Sequence, residues 1–131
     1  MKAKLVRDRI PKIINESGRL CRYRIVYGHD RLSYLHEKMQ EELDEFRADP
    51  SAEEAADMYE VLRTLCLEHA ISMEVVESVA MEKRMKRGGF LNGFVLEHVE
   101  DTEPQLELNF SETTFSDLLE RKLEELNNEG R

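Results

Sequence analysis

The sequence predicts an all-α protein, an antiparallel helical bundle with short extended segments and an extra helix at its C-terminal end. Apolar residues recur at three- and four-residue intervals over residues 31–48 and again over 52–69, the period of helices that bury one face. Helix breakers separate the candidate helices: Gly18, Asp49-Pro50-Ser51 and Gly88-Gly89. A composition of 40% hydrophobic and 36% charged residues, with three prolines and six glycines, suits a globular helical chain and argues against disorder.

Taken in order, residues 4–14 contain a short helix opened near Pro11 and closed by Gly18, because proline suits a helix start and glycine its end. Arg22–Tyr27 is β-branched and aromatic and reads as an extended piece. Gly28-His29-Asp30 then turns the chain into the first long helix, Arg31–Ala48, with Asp30 as its cap. The residue before a proline avoids helical angles, so Asp49-Pro50-Ser51 breaks that helix. The second long helix begins after Ser51 and reaches about His69; Ser51 and Glu54 have the spacing of a capping box. A third helix spans Ser72–Arg87 and ends at Gly88-Gly89. Phe94–Val99 is a short strand or an extended run, followed by an acidic linker from Glu100 to Pro104. The last helix runs from Phe115 to about Leu126 with Thr114 as its cap. There is no internal repeat and no low-complexity stretch.

A length of 131 residues fits one domain of ordinary size. The longest apolar runs are far short of the ~20 residues that cross a bilayer, and no apolar signal segment follows the charged start, so no membrane association and a cytoplasmic location are expected. Cys21 and Cys66 have no second ligand at metal spacing and read as buried thiols. The net charge is −9 and uneven: residues 1–98 carry 16 basic and 18 acidic side chains, residues 99–131 carry 3 and 10. Such a surface does not suit generic nucleic-acid binding. A small anion bound through a metal remains compatible, because the cation supplies the missing positive charge.

Around the first long helix, Leu32, Leu35, Met39, Leu43 and Phe46 form one stripe, with Glu42 at its edge and Glu45 beside it. In the second, Met58, Val61, Leu62 and Leu65 form the stripe, with Glu54 near its centre and Asp57 at its margin. A carboxylate facing a core is costly unless it is neutralised, paired with a cation or bound to a metal. The short connection at Asp49-Pro50 makes the two helices an antiparallel hairpin, in which residues equally distant from the loop face one another. Glu42 then lies opposite Asp57, and Glu45 opposite Glu54. Four carboxylates gathered in this way suit magnesium, or manganese in its place, and the metal makes them a phosphate-binding site. Metal-assisted attack of water on a phosphoryl group is the reaction implied. Taken singly, each acid has an ordinary alternative: Glu41-Glu42 as a solvated face, Glu54 as part of the Ser51 cap.

Lys83, Arg84 and Arg87, at the end of the third helix, are candidate phosphate contacts; they equally complement the carbonyl end of that helix. Arg7, with Lys4 and Arg9, is a second candidate, and the neighbouring Asp8 points to ion pairing for some of them. His29, His36, His69 and His98 are scattered, and none follows a glutamate by three residues, so a di-iron helix-bundle site is not indicated.

The strings Lys4-Leu5-Val6-Arg7-Asp8-Arg9-Ile10-Pro11, Glu41-Glu42-Leu43-Asp44-Glu45-Phe46, Glu53-Glu54-Ala55-Ala56-Asp57, and Lys83-Arg84 with Arg87-Gly88-Gly89-Phe90 together resemble the MazG-like, phosphoribosyl-ATP pyrophosphohydrolase-like group of all-α nucleoside triphosphate pyrophosphohydrolases. The resemblance covers residues 1–99 as one domain and leaves residues 100–131, the acidic linker and last helix, outside it. It implies hydrolysis between the α and β phosphates to a nucleoside monophosphate and pyrophosphate, with magnesium held by Glu42, Glu45, Glu54 and Asp57. Glu41 and Glu42 are the catalytic candidates, Glu41 either supporting the ligands or orienting the attacking water. A homodimer or homotetramer is implied as well, with the last helix against a neighbour or over the site. The nucleotide is left open among standard, deoxy, damaged and phosphoribosylated substrates, and nucleotide-pool house-cleaning is the role the resemblance favours. The competing class is a non-catalytic helical module that binds a nucleotide or a protein partner.

Overall fold

A computed structural model describes residues 2–102 and 115–129. Their regular structure is entirely α-helical: α1 (Ile10–Glu16), α2 (Gly28–Ala48), α3 (Ala52–Glu68), α4 (Met73–Arg87) and α5 (Phe115–Glu129). The chain divides into two compact units, Met1–Met73 and Glu74–Arg131. This division does not mark the boundary between residues 99 and 100 at which the resemblance ends.

In the first unit, α1 carries Pro11 in its opening turn. It closes in a glycine motif in which Gly18, at φ 84°, donates to Asn15 O and Arg19 donates to Ile14 O. α2 starts at Gly28, three residues before the expected Arg31. The cap position falls on Tyr27, whose backbone is extended and whose side chain makes no capping bond. Asp30 is therefore not the cap: it lies inside the first turn, where its charge faces the positive end of the helix dipole. α2 ends at Ala48 before Pro50, and α3 begins at Ala52 with Ser51 as its cap; the Ser51 hydroxyl accepts from Glu54 N at 3.1 Å. Three residues separate the two helices, which pack on each other as the hairpin the sequence requires.

The hairpin holds the buried centre of this unit. Leu35, Val61 and Cys66 are its buried apolar residues, flanked by half-buried Leu32, Met39 and Phe46 on α2 and Met58 and Leu65 on α3. The stripes are rotated from their expected positions. Leu43 and Leu62 remain 37% and 40% exposed, whereas Glu42, expected at the edge, is 4% exposed. Leu35 and Glu42 are seven residues apart, two helical turns, so the line that buries Leu35 carries Glu42 into the interface with it. Cys21 is half-buried and Cys66 buried, both as free thiols.

In the second unit α4 ends at Arg87, and Gly88, at φ 80°, donates to Arg84 O at 2.8 Å. Phe94–Val99 forms neither helix nor strand, and among the described residues there is no strand. The backbone of α5 is helical to Glu129, three residues beyond the expected end. Its expected cap, Thr114, and the end of the linker at Glu103 and Pro104 lie outside the described residues. No described helix is long and apolar enough to cross a membrane.

Candidate metal centre

Two helices and the N-terminal segment build one acidic cluster within the first unit. α2 contributes Glu41, Glu42 and Glu45; α3 contributes Glu54, in the turn fixed by Ser51, and Asp57 one turn later. The five acids form two overlapping triads. Carboxylate oxygens of Glu42, Glu54 and Asp57 lie within 4.8 Å of one another, and so do those of Glu41, Glu42 and Glu45. Glu42 belongs to both. The four acids set opposite one another by loop register are thus gathered around Glu42, but Glu45 is an exposed residue grouped with its own helix and not with Glu54. Neighbouring helix positions explain this: Glu45 is three residues from Glu42 and sits on the solvent flank of the buried line.

Three cations answer part of this charge. Lys38 Nζ is 3.1 Å from Glu42 Oε1 and 3.4 Å from Glu41 Oε2. Lys4 Nζ is 3.4 Å from Glu41 Oε1. An Arg7 guanidinium nitrogen donates to Asp57 Oδ1 at 2.6 Å. Arg7, expected at a substrate phosphate, is here the partner of Asp57 and not of the adjacent Asp8. Lys38 was not among the sequence-derived site residues, although its spacing to Glu41 and Glu42, three and four residues, is that of helical ion pairs.

The cations leave two acceptors without a partner. Glu42 Oε2 and Glu54 Oε2 are both buried from solvent and accept no hydrogen bond. The Glu54 oxygen therefore does not return to the Ser51 N–H to complete a capping box. Burial, reinforced by the nearby Glu45 charge, lifts the Glu42 carboxyl above the usual glutamate range against the pull of Lys38. Burial also pushes Glu41 upward, but Lys38 and Lys4 together outweigh it and hold its carboxyl below that range. Lys38, partly desolvated, is kept firmly protonated by Glu42 and Glu41.

These oxygen donors from two helices, with buried oxygens lacking a partner, form a group that could hold a metal ion. On its outer side the cluster borders an open groove of about 650 Å³, whose lining includes Lys4, Tyr34, Lys38, Glu41, Asp44 and Glu45. Lys83, Arg84 and Arg87 stand in the last turns of α4, in the second unit; in that place they complement the helix's carbonyl end. No family model, curated protein or solved structure matches this chain.

Proposed function

We propose that this protein is a divalent-cation-dependent nucleotide pyrophosphohydrolase of the MazG-like, phosphoribosyl-ATP pyrophosphohydrolase-like kind, acting on a nucleoside triphosphate. The observation that carries the reading is the pair of buried, unpartnered oxygens, Glu42 Oε2 and Glu54 Oε2, on facing helices beside Asp57. A buried acceptor without a donor costs about 1–3 kcal/mol and more when charged, a cost that a bound cation removes. The order of motifs in residues 1–99 supports the reaction class through the resemblance noted above.

Glu42, Glu54 and Asp57 would hold the ion, and Glu45, grouped with Glu42 in the second triad, would add negative charge beside it. Magnesium, when bound, screens the phosphate charge and makes a coordinated water more acidic. Glu41, held by Lys38 and Lys4 and kept ionised by them, would support the ligands or help orient the attacking water. Cleavage between the α and β phosphates adds that water across the anhydride and releases monophosphate and pyrophosphate.

The cation network supports a second reading. Lys4, Arg7 and Lys38 pair with Glu41, Asp57 and Glu42, which is compatible with a charge network in a non-catalytic helical interaction module. Incubation with magnesium and a panel of standard, modified and phosphoribosylated nucleotides, with detection of pyrophosphate, separates the two. Release by the wild type and loss of at least a hundredfold in Glu42→Gln and Asp57→Asn is expected, the order of effect of removing a charged group that acts in the transition state. Metal binding without turnover on any nucleotide contradicts the assignment of substrate class, and no metal binding favours the interaction module.

A further inference from the structure

The ion pair between Arg7 and Asp57 has a consequence beyond holding the N-terminal segment in place. Five carboxylates, Glu41, Glu42, Glu45, Glu54 and Asp57, face three cations, Lys4, Lys38 and Arg7, so with every group ionised the cluster keeps two negative charges. A divalent ion that takes the place of Arg7 lowers that excess to one negative charge. Asp57 is at once a member of the interhelical triad and the acceptor for Arg7. The three cations differ in how firmly they are held. Lys38 is largely buried, with 17% of its side chain exposed, and bonds two acids of its own helix. Arg7 has 56% of its side chain exposed, makes one contact to the cluster, and comes from a segment outside any helix. Lys4 is 50% exposed and likewise outside any helix, but it pairs with Glu41; Arg7 is the exposed cation that meets a member of the interhelical triad.

We infer that Arg7 is an exchangeable counter-ion: it neutralises Asp57 when no metal is present, and a divalent cation arriving at Glu42, Glu54 and Asp57 releases it to bind an anionic phosphate of the substrate. The inference rests on the metal-site reading above. Two positive centres drawn to one carboxylate repel each other, and the ion shared by three carboxylates is held more strongly than a half-exposed guanidinium on one. Once freed, Arg7 carries five donors in a planar fork suited to phosphate oxygens. Metal loading thereby raises affinity for the anion by more than the charge of the metal alone.

Manganese titration of the full chain, followed by the loss of the free-ion paramagnetic signal, tests this with Arg7→Gln and Arg7→Lys beside the wild type. Inorganic pyrophosphate is the second probe, titrated into manganese-saturated protein, with melting curves to establish that each variant is folded. Arg7→Gln is expected to bind manganese about tenfold more tightly, the least effect an adjacent arginine has on a carboxylate's affinity for a proton. It is also expected to bind pyrophosphate several-fold more weakly, with Arg7→Lys intermediate in both. Wild-type manganese binding with unchanged or weaker binding by Arg7→Gln overturns the exchange while leaving the metal site standing. Tighter manganese with unchanged pyrophosphate overturns the handover to phosphate. If neither protein binds manganese, the site assignment fails and the exchange fails with it.

Discussion

Glu42 is the residue on which the cluster turns, because it is the most deeply buried acid and belongs to both triads. Its raised pKa means that the folded protein holds the Glu42 proton more tightly than the unfolded chain does. The associated stability is fully present below the ordinary glutamate value and is lost as pH rises through the raised one. In metal-free buffer Glu42→Gln should therefore gain stability on the wild type as pH rises through and above the ordinary glutamate range. Urea midpoints of the two proteins across that range measure the difference, and a gap that narrows with pH contradicts the assignment. Divalent binding needs the ionised carboxylate, so it should fail in the same window as pH falls. Lys38→Met is the opposite change. It leaves Glu42 without its cation and should cost about 2 kcal/mol, less than a fully buried pair because Lys38 keeps some solvent contact. A loss below about 0.5 kcal/mol in chemical denaturation would show that Lys38 is no more than a surface pairing.

Among the helices, ends show most clearly what sequence spacing conveys and what it leaves out. Pro50 and Ser51 mark a real break, and the Ser51 hydroxyl caps α3 as its spacing requires, so Ser51→Ala should lower stability by about 1 kcal/mol in urea unfolding. The C-terminal end of α3 carries no such signal. Ile71 N–H bonds to Cys66 O at 2.8 Å and Ala70 N–H to Leu67 O at 3.1 Å, the same closing motif that Gly18 makes for α1. Here the left-handed position is filled by Ala70, at φ 55°. Glycine adopts that angle without the Cβ penalty, so Ala70→Gly should stabilise the protein by about 0.5–1 kcal/mol, read from the melting temperature. The start of α2 differs from its expected position for a related reason: Asp30 is a good capping residue, yet Tyr27 is the last extended residue and the helix begins at Gly28. The facing of α2 and α3 was legible from loop length and register, which is why Glu42, Glu54 and Asp57 could be placed together. The rotation that buries Glu42 and exposes Leu43 was not, because apolar spacing alone leaves a stripe's centre uncertain by roughly one residue step of 100°. Arg7 meeting Asp57, 50 positions along the chain, left no trace in local spacing.

For the molecule as a whole, the charge balance and the apolar surface bear on different questions. The sequence placed its excess negative charge in residues 99–131, yet the candidate site gathers acids and cations from residues 4–57. Tyr23, Ile25, Tyr27, Tyr59, Leu67 and Ile71 of the first unit are all more than 40% exposed, while its buried apolar centre is confined to Leu35, Val61 and Cys66. We propose that a second copy of the chain covers part of this surface, so sedimentation equilibrium should give a mass of at least twice 15.4 kDa. A monomer at micromolar concentration contradicts that assembly without touching the metal site.

Thermal melting of the wild type and Glu54→Gln, each with and without magnesium or manganese, bears most directly on the claim that Glu42, Glu54 and Asp57 hold a divalent ion. An ion present at a hundredfold its Kd should stabilise the wild type by about 2.7 kcal/mol, a rise of several degrees, and leave Glu54→Gln nearly unmoved. Equal shifts in both proteins, or none in either, contradict it and leave the acids as a charge network closed by Lys4, Arg7 and Lys38.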